Sequence, residues 1–121
     1  MLAAYRVLDL SDERGQLAGF ILGQLGADVI AVEPPGGVSS RHRAPYAGGV
    51  PDPERSLWHW SYNRGKRSIV IDLSSEAGRS ELARLASTAD VVIDTGSTGL
   101  DLAALRAANP RLGTVSISAY G

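Results

Sequence analysis

The sequence has no cysteine, which removes disulfides, thiolate catalysis and cysteine-ligated zinc at once. Charge of one sign is missing as well. Twelve basic and thirteen acidic residues leave a net charge of −1, whereas a nucleic-acid-binding domain normally carries a basic surface or stripe. No apolar run approaches the length needed to cross a bilayer, and no basic segment followed by an apolar stretch opens the chain as a secretion signal would. Two histidines, His42 and His59, are too isolated to propose a metal centre or a general base. Ser97 and Ser116 lie outside any G-x-S-x-G elbow, so neither has an activating context. These readings leave a cytoplasmic protein of one domain, without membrane or nucleic-acid partners, and with no catalytic constellation visible in local chemistry.

What is present is an alternation of strand and helix patterns. YRVLDL (Tyr5–Leu10) is rich in strand formers and ends on Ser11-Asp12, a turn or capping pair. From Arg14 to Leu25 the apolar positions Leu17, Ala18, Ile21, Leu22 and Leu25 recur at helical spacing, and Gly26 supplies a stop. DVIAVE (Asp28–Glu33) is a near-continuous apolar strand, as expected where helices cover both faces. A stretch rich in proline and glycine, Pro34 to Pro53, then breaks all periodicity; long loops of this kind are usually functional or disordered. A short helix over Arg55–Asn63, a strand over Arg67–Leu73 and a helix over Glu76–Ala86 capped by Ser75 follow. In that last helix Leu82, Ala83, Leu85 and Ala86 are expected to face inward. Asp90–Asp94 is a strand, Asp101 caps a helix over Leu102–Ala108, and Thr114–Gly121 is a final strand. This order predicts an α/β fold with a mostly parallel, doubly wound sheet whose ligands sit at the carboxyl ends of the strands.

Which ligand suits those ends is the next question. A dinucleotide needs G-x-G-x-x-G between the first strand and its helix. Here Gly15, Gly19 and Gly23 are four apart and Asp12-Glu13-Arg14 fills the turn, so the fingerprint is absent. The glycines then serve close packing of the helix on the sheet, although Glu33 lies near the offset of a ribose-binding acid. The basic NRGKRS (Asn63–Ser68) is either a solvated turn or a receiver of phosphate. Asp9, Asp72, Asp90 and Asp94 fall at strand boundaries, where an acid caps a helix more often than it serves a site.

Taken in order, VLDLS, LGADVIAVEPPGG, NRGKRSIVIDLSSEAG, LASTADVVIDTG and NPRLGTVSISAYG resemble the N-terminal portion of the class III CoA-transferases. That family includes formyl-CoA, carnitine and bile-acid CoA-transferases and the related α-methylacyl-CoA racemases. The likeness covers nearly all 121 residues. It implies a Rossmann-like, CoA-binding region, residues 1–121, of a longer chain that forms an interlocked homodimer. It further implies transfer of CoA between carboxylic acids through an acyl-aspartyl anhydride and an enzyme thioester. The nucleophilic aspartate of the family lies downstream of SISAYG, so no residue here is catalytic and the chain by itself is expected to be inactive and marginally stable. By the same resemblance the coenzyme A site takes in Arg14 and Gly15, where RGQ replaces the usual AGP. It also takes in Pro34 after Glu33, the segment Ile71, Asp72, Leu73 and Ser74, and the pair Thr95 and Gly96. The last pair departs from the family, because DTGSTG stands where ENFRPG is usual and an arginine common after it has no counterpart. Two alternatives stay open at this level: racemase chemistry within the family, and a non-catalytic half of a tandem or heteromeric protein that has lost its ligand.

Overall fold

A computed structural model describes residues 1–119. Five strands form one all-parallel sheet: β1 (Arg6–Leu10), β2 (Asp28–Glu33), β3 (Arg67–Val70), β4 (Val91–Asp94) and β5 (Gly113–Ser116). Their spatial order is β3-β2-β1-β4-β5, so the first strand is central. Val7 pairs with Val29 on one side and with Val91 on the other. Four helices connect them: α1 (Gln16–Gln24), α2 (Leu57–Asn63), α3 (Glu76–Ala86) and α4 (Leu102–Ala108).

Both faces of the sheet are covered, which accounts for the unbroken apolar strands. Leu8, Leu10, Ile30, Val32 and Val92 point to one side and pack with Leu82 and Ala86 of α3 and Leu105 of α4. Val7, Val29 and Ile93 point to the other side, beneath Ala18 and Leu22 of α1. Successive strand residues therefore enter opposite cores, as the two-residue period of a strand requires.

Helix α1 approaches the sheet through its glycines. A Cβ on Gly19 would overlap Asp9 Oδ2, and one on Gly15 would stand 2.8 Å from Thr95 Cγ2. That close seat turns the larger side chains outward: Leu17, Ile21 and Leu25 are each about half exposed, although their spacing alone reads as a buried stripe. Gly26, with φ of +103°, ends the helix as expected. The caps are local and appear where the sequence places them. Ser75 Oγ accepts from Gly78 N at 2.9 Å, and Asp101 Oδ1 accepts from Ala104 N at 3.1 Å.

Several boundaries move. Helix α1 begins at Gln16 rather than Arg14, and α2 at Leu57 rather than Arg55. Ser56 caps α2 by accepting from His59 N at 3.1 Å, so Arg55 falls outside it. In α3, Leu82 and Ala86 are buried, but Ala83 is exposed. Strand β3 ends at Val70 rather than Leu73: Ile71 N still donates to Glu33 O at 2.9 Å and its side chain enters the core, only 4% exposed, but the chain then turns at Asp72, whose Oδ1 accepts from Ser74 N at 3.0 Å. Strand β5 closes at Ser116, short of the predicted reach; Tyr120 and Gly121 lie outside the described residues.

Candidate functional site

A cavity of about 360 Å³ opens at the carboxyl ends of the strands, where an open parallel sheet presents its ligands. Its apolar walls are Leu10, Val32, Pro34, Val38, Ile71 and Leu73. Polar groups at its rim come from Asp12, Glu33, Ser39, Asp72, Ser74, Ser97 and Thr98. Pro34 and the whole of Ile71–Ser74 thus meet at one place, although 37 positions separate Pro34 from Ile71. The end of β2 supplies the first and the early exit of the chain from β3 supplies the second.

The other predicted positions, Arg14, Gly15, Thr95 and Gly96, gather beside this cavity without lining it. They form a second cluster where β1 and β4 end together. Arg14 donates to Thr95 O at 2.8 Å and forms an ion pair with Asp12 at 2.9 Å, while Asp12 N donates to Thr95 Oγ1 at 3.0 Å. The hydrogen bond from Arg14 holds the Asp12 carboxyl below the usual carboxylate range. Gly15 sits against Thr95 and Ile117, and Gly96, with φ of +82°, has open space where a side chain would be. Leu10, Asp12, Val32, Val38, Ser39, Ser97 and Thr98 also line the cavity, although no motif in the sequence singles them out. Leu10, Asp12, Val32, Ser97 and Thr98 lie at or just beyond the ends of β1, β2 and β4, and Val38 and Ser39 come from the loop after β2.

Glu33 is no ribose ligand. It is 3% exposed, and both its oxygens are taken by Arg41, through Nε at 2.6 Å and a terminal nitrogen at 2.8 Å. Val38 N at 3.1 Å and the Ser68 hydroxyl add two further donors. Burial by itself would raise this carboxyl, but the hydrogen bonds from Arg41, Ser68 and Val38 N outweigh it and hold the group at about 2. The result organises the loop that follows. Arg41 and Ser40 belong to one short 3₁₀ turn, Ser39–His42, and Ser40 is fully buried, bonding Gln16 Nε2 at 3.0 Å and His59 Nδ1 at 2.6 Å. Burial, with Arg41 nearby, pushes His59 down to about 4, so it is a neutral hydrogen-bonding residue.

The basic stretch after α2 is also committed. Arg67 grips Asp28 with two bonds of 3.0 and 2.8 Å, and Arg64 lies 5.1 Å over the Phe20 ring. Lys66 reaches under α1 to Asp9 at 2.6 Å, with each side chain only 2% exposed. Its remaining protons go to Asn63 Oδ1 at 2.8 Å and Gln16 O at 3.0 Å. The other Asp9 oxygen accepts from the Ser11 amide at 3.0 Å and from the Ser11 hydroxyl. Every donor and acceptor of the pair is therefore used, the condition under which a buried ion pair is tolerated. These contacts make NRGKRS a structural segment, and the pair fixes the Ser11–Gln16 turn beside the cavity. Among the described residues no cluster of three metal-ligating side chains occurs, and no helix is long and apolar enough to cross a membrane.

The model of CoA-transferase family III matches residues 2–121. The chain is 39% identical, over 99% of its length, to a probable fatty acyl-CoA transferase of Mycobacterium tuberculosis, Rv3272. It is 40% identical, again over 99%, to the succinate–glutarate CoA-transferase of Agrobacterium fabrum. In each case it spans 32% of the relative's length. A crystal structure of Rv3272 superposes with a TM-score of 0.84 at 38% identity, over 99% of this chain and 35% of that one.

Proposed function

The chain belongs to CoA-transferase family III, and from that premise we propose that it forms the CoA-binding N-terminal region of a longer enzyme moving CoA between carboxylic acids. The observation that carries this reading is the meeting of Pro34 with Ile71–Ser74 around one apolar cavity at the strand ends. A slot walled by Leu10, Val32, Val38 and Leu73 suits a flat purine. Asp72, Ser74, Ser97 and Thr98 offer hydrogen-bonding groups at its rim for the sugar and the exocyclic amine. The turn bearing Arg14, Gly15, Thr95 and Gly96 adjoins the slot and offers the next surface to the rest of the ligand.

In the proposed reaction a carboxylate outside these residues attacks the acyl thioester. The carbon–sulfur bond breaks, an acyl anhydride forms, and CoA leaves as its thiolate. The thiolate reopens the anhydride at the enzyme's own carbonyl, which releases the donor carboxylate and leaves an enzyme thioester. The acceptor carboxylate attacks that thioester to form a second anhydride, and the thiolate reopens this one at the acceptor carbonyl, giving the new acyl-CoA and freeing the enzyme carboxylate. The share of this chain is to keep the nucleotide end anchored so that the thiolate stays next to the anhydride, which converts a bimolecular return step into a local one. The working form is a homodimer of full-length chains in the cytoplasm, and the 121 residues alone bind without turning over. Calorimetric titration of the full-length protein with CoA tests the reading. Saturable binding with a Kd between roughly micromolar and a few hundred micromolar is expected; no heat at millimolar CoA refutes it.

A further inference from the structure

We propose that Arg79 is the residue that receives a phosphate of the bound nucleotide, a role that deepens the CoA-binding reading and rests on it. The cavity has three carboxylates at its rim, Asp12, Glu33 and Asp72, so a phosphorylated ligand needs a cation near by. Two of the arginines next to the cavity are already engaged. Arg14 is paired with Asp12 and bonded to Thr95 O. Arg41 is clamped on Glu33 and lies 3.6 Å from Glu54.

Arg79 differs from both. It is exposed, on the first turns of α3, and has no carboxylate partner among the described residues. One terminal nitrogen donates to Leu73 O at 3.3 Å and to Ser74 O at 3.2 Å. Those carbonyls belong to two residues that line the cavity, so the guanidinium is held next to the cavity wall without itself lining it. Helix geometry explains the placement, because side chains lean toward the helix N-terminus and Arg79 therefore folds back over the turn that precedes α3. The turn itself is held firmly: a Cβ on Gly78 would overlap Asp72 O, and Ser75 caps the first turn. One nitrogen is anchored on backbone, and the remaining guanidinium donors are left for a bidentate grip on phosphate oxygens. The two carbonyl contacts, at 3.3 and 3.2 Å, lie at the long end of the N–H···O range and involve one nitrogen alone.

The phosphate is either the terminal 3′-monoester of CoA or the pyrophosphate that CoA shares with dephospho-CoA. Titration of full-length wild type, Arg79→Gln and Arg79→Lys with CoA and with dephospho-CoA separates them. Arg79→Gln is expected to weaken CoA about five- to tenfold. Loss confined to CoA assigns the monoester, and equal loss for both ligands assigns the pyrophosphate. Arg79→Lys keeps part of the affinity through its charge. The salt dependence of binding is shallower in Arg79→Gln, which a purely structural role would not produce. Unchanged affinity of Arg79→Gln for both ligands overturns the proposal while leaving the CoA reading intact. Failure of the wild type to bind either ligand overturns the CoA reading, and this inference with it.

Discussion

Replacing Lys66 with Met removes the cation from a buried pair and leaves Asp9 facing α1 with only Ser11 as a donor. Three hydrogen bonds vanish together, to Asp9, Gln16 O and Asn63. Both side chains are only 2% exposed, so water cannot screen the stranded charge. Breaking a buried pair on one side costs about 3–5 kcal/mol, a large part of the total stability of a domain, which is roughly 5–15 kcal/mol. At roughly 4 °C per kcal/mol for a chain of this size, the melting temperature falls by roughly 12–20 °C. Adding Asp9→Asn to Lys66→Met removes the charge while keeping an acceptor for Ser11, so the double variant recovers part of the loss. Urea denaturation followed by circular dichroism reads both comparisons. A single variant within about 1 kcal/mol of wild type, or a double variant no more stable than the single, refutes the claim that the pair is a desolvated charge clasp.

Other substitutions probe separate parts of the fold. Gly78→Ala should destabilise by well over the roughly 1 kcal/mol that alanine normally gains over glycine inside a helix, because the added carbon meets the carbonyl of Asp72; a rise in melting temperature would contradict this. Stability should fall on acidification in two steps. His59 is held near 4 in the fold against 6.5 unfolded, so its contribution is full above about 6.5 and lost toward 4. Glu33 is held near 2 against 4.5, so its contribution is full above about 4.5 and lost toward 2. Glu33→Gln should flatten the lower step of a pH–denaturation curve while the upper one persists, because the Glu33 charge raises His59 and its loss only depresses that group further. Val38→Trp, at a partly exposed wall of the cavity, should weaken CoA by more than about tenfold, or about 1.4 kcal/mol, with an unchanged melting temperature, as read by calorimetry on the full-length protein.

The strands and capped helices were legible because their signals are local: an apolar run, a serine or aspartate ahead of a helix, a glycine after one. The end of β3 was not, since IVIDL reads as continuous strand. Ile71 keeps the strand's alternation, buried beside exposed Val70, and what ends the strand is the turn in which Asp72 Oδ1 accepts from Ser74 N, a side-chain bond that an apolar run conceals. The cavity was half legible. Pro34 and Ile71–Ser74 stood at predicted strand ends, but Val38 and Ser39 enter through a loop whose path depends on Arg41 finding Glu33. Lys66 was the least legible residue. Its partner is 57 positions away and lies beyond an intervening strand, so a charge that reads as solvated or phosphate-binding is in fact sealed beneath a helix. The outward stripe of α1 was hidden for the opposite reason: leucines at helical spacing announce a core, and only the glycines between them show that the helix turns its thin side to the sheet.

The central place of β1 has a consequence for synthesis. Val7 finds Val29 soon after both leave the ribosome, but its other neighbour is Val91. At about 5–20 residues per second, one edge of β1 therefore waits roughly 4–17 seconds for β4, with Leu8 and Leu10 unsheltered. Arg6 and Asp9 are the charges spaced along that strand, and charge along an unpaired strand disfavours edge-to-edge pairing with another chain. Asp9, half of a sealed ion pair in the finished fold, is thus one of the two charges the open edge carries while it waits.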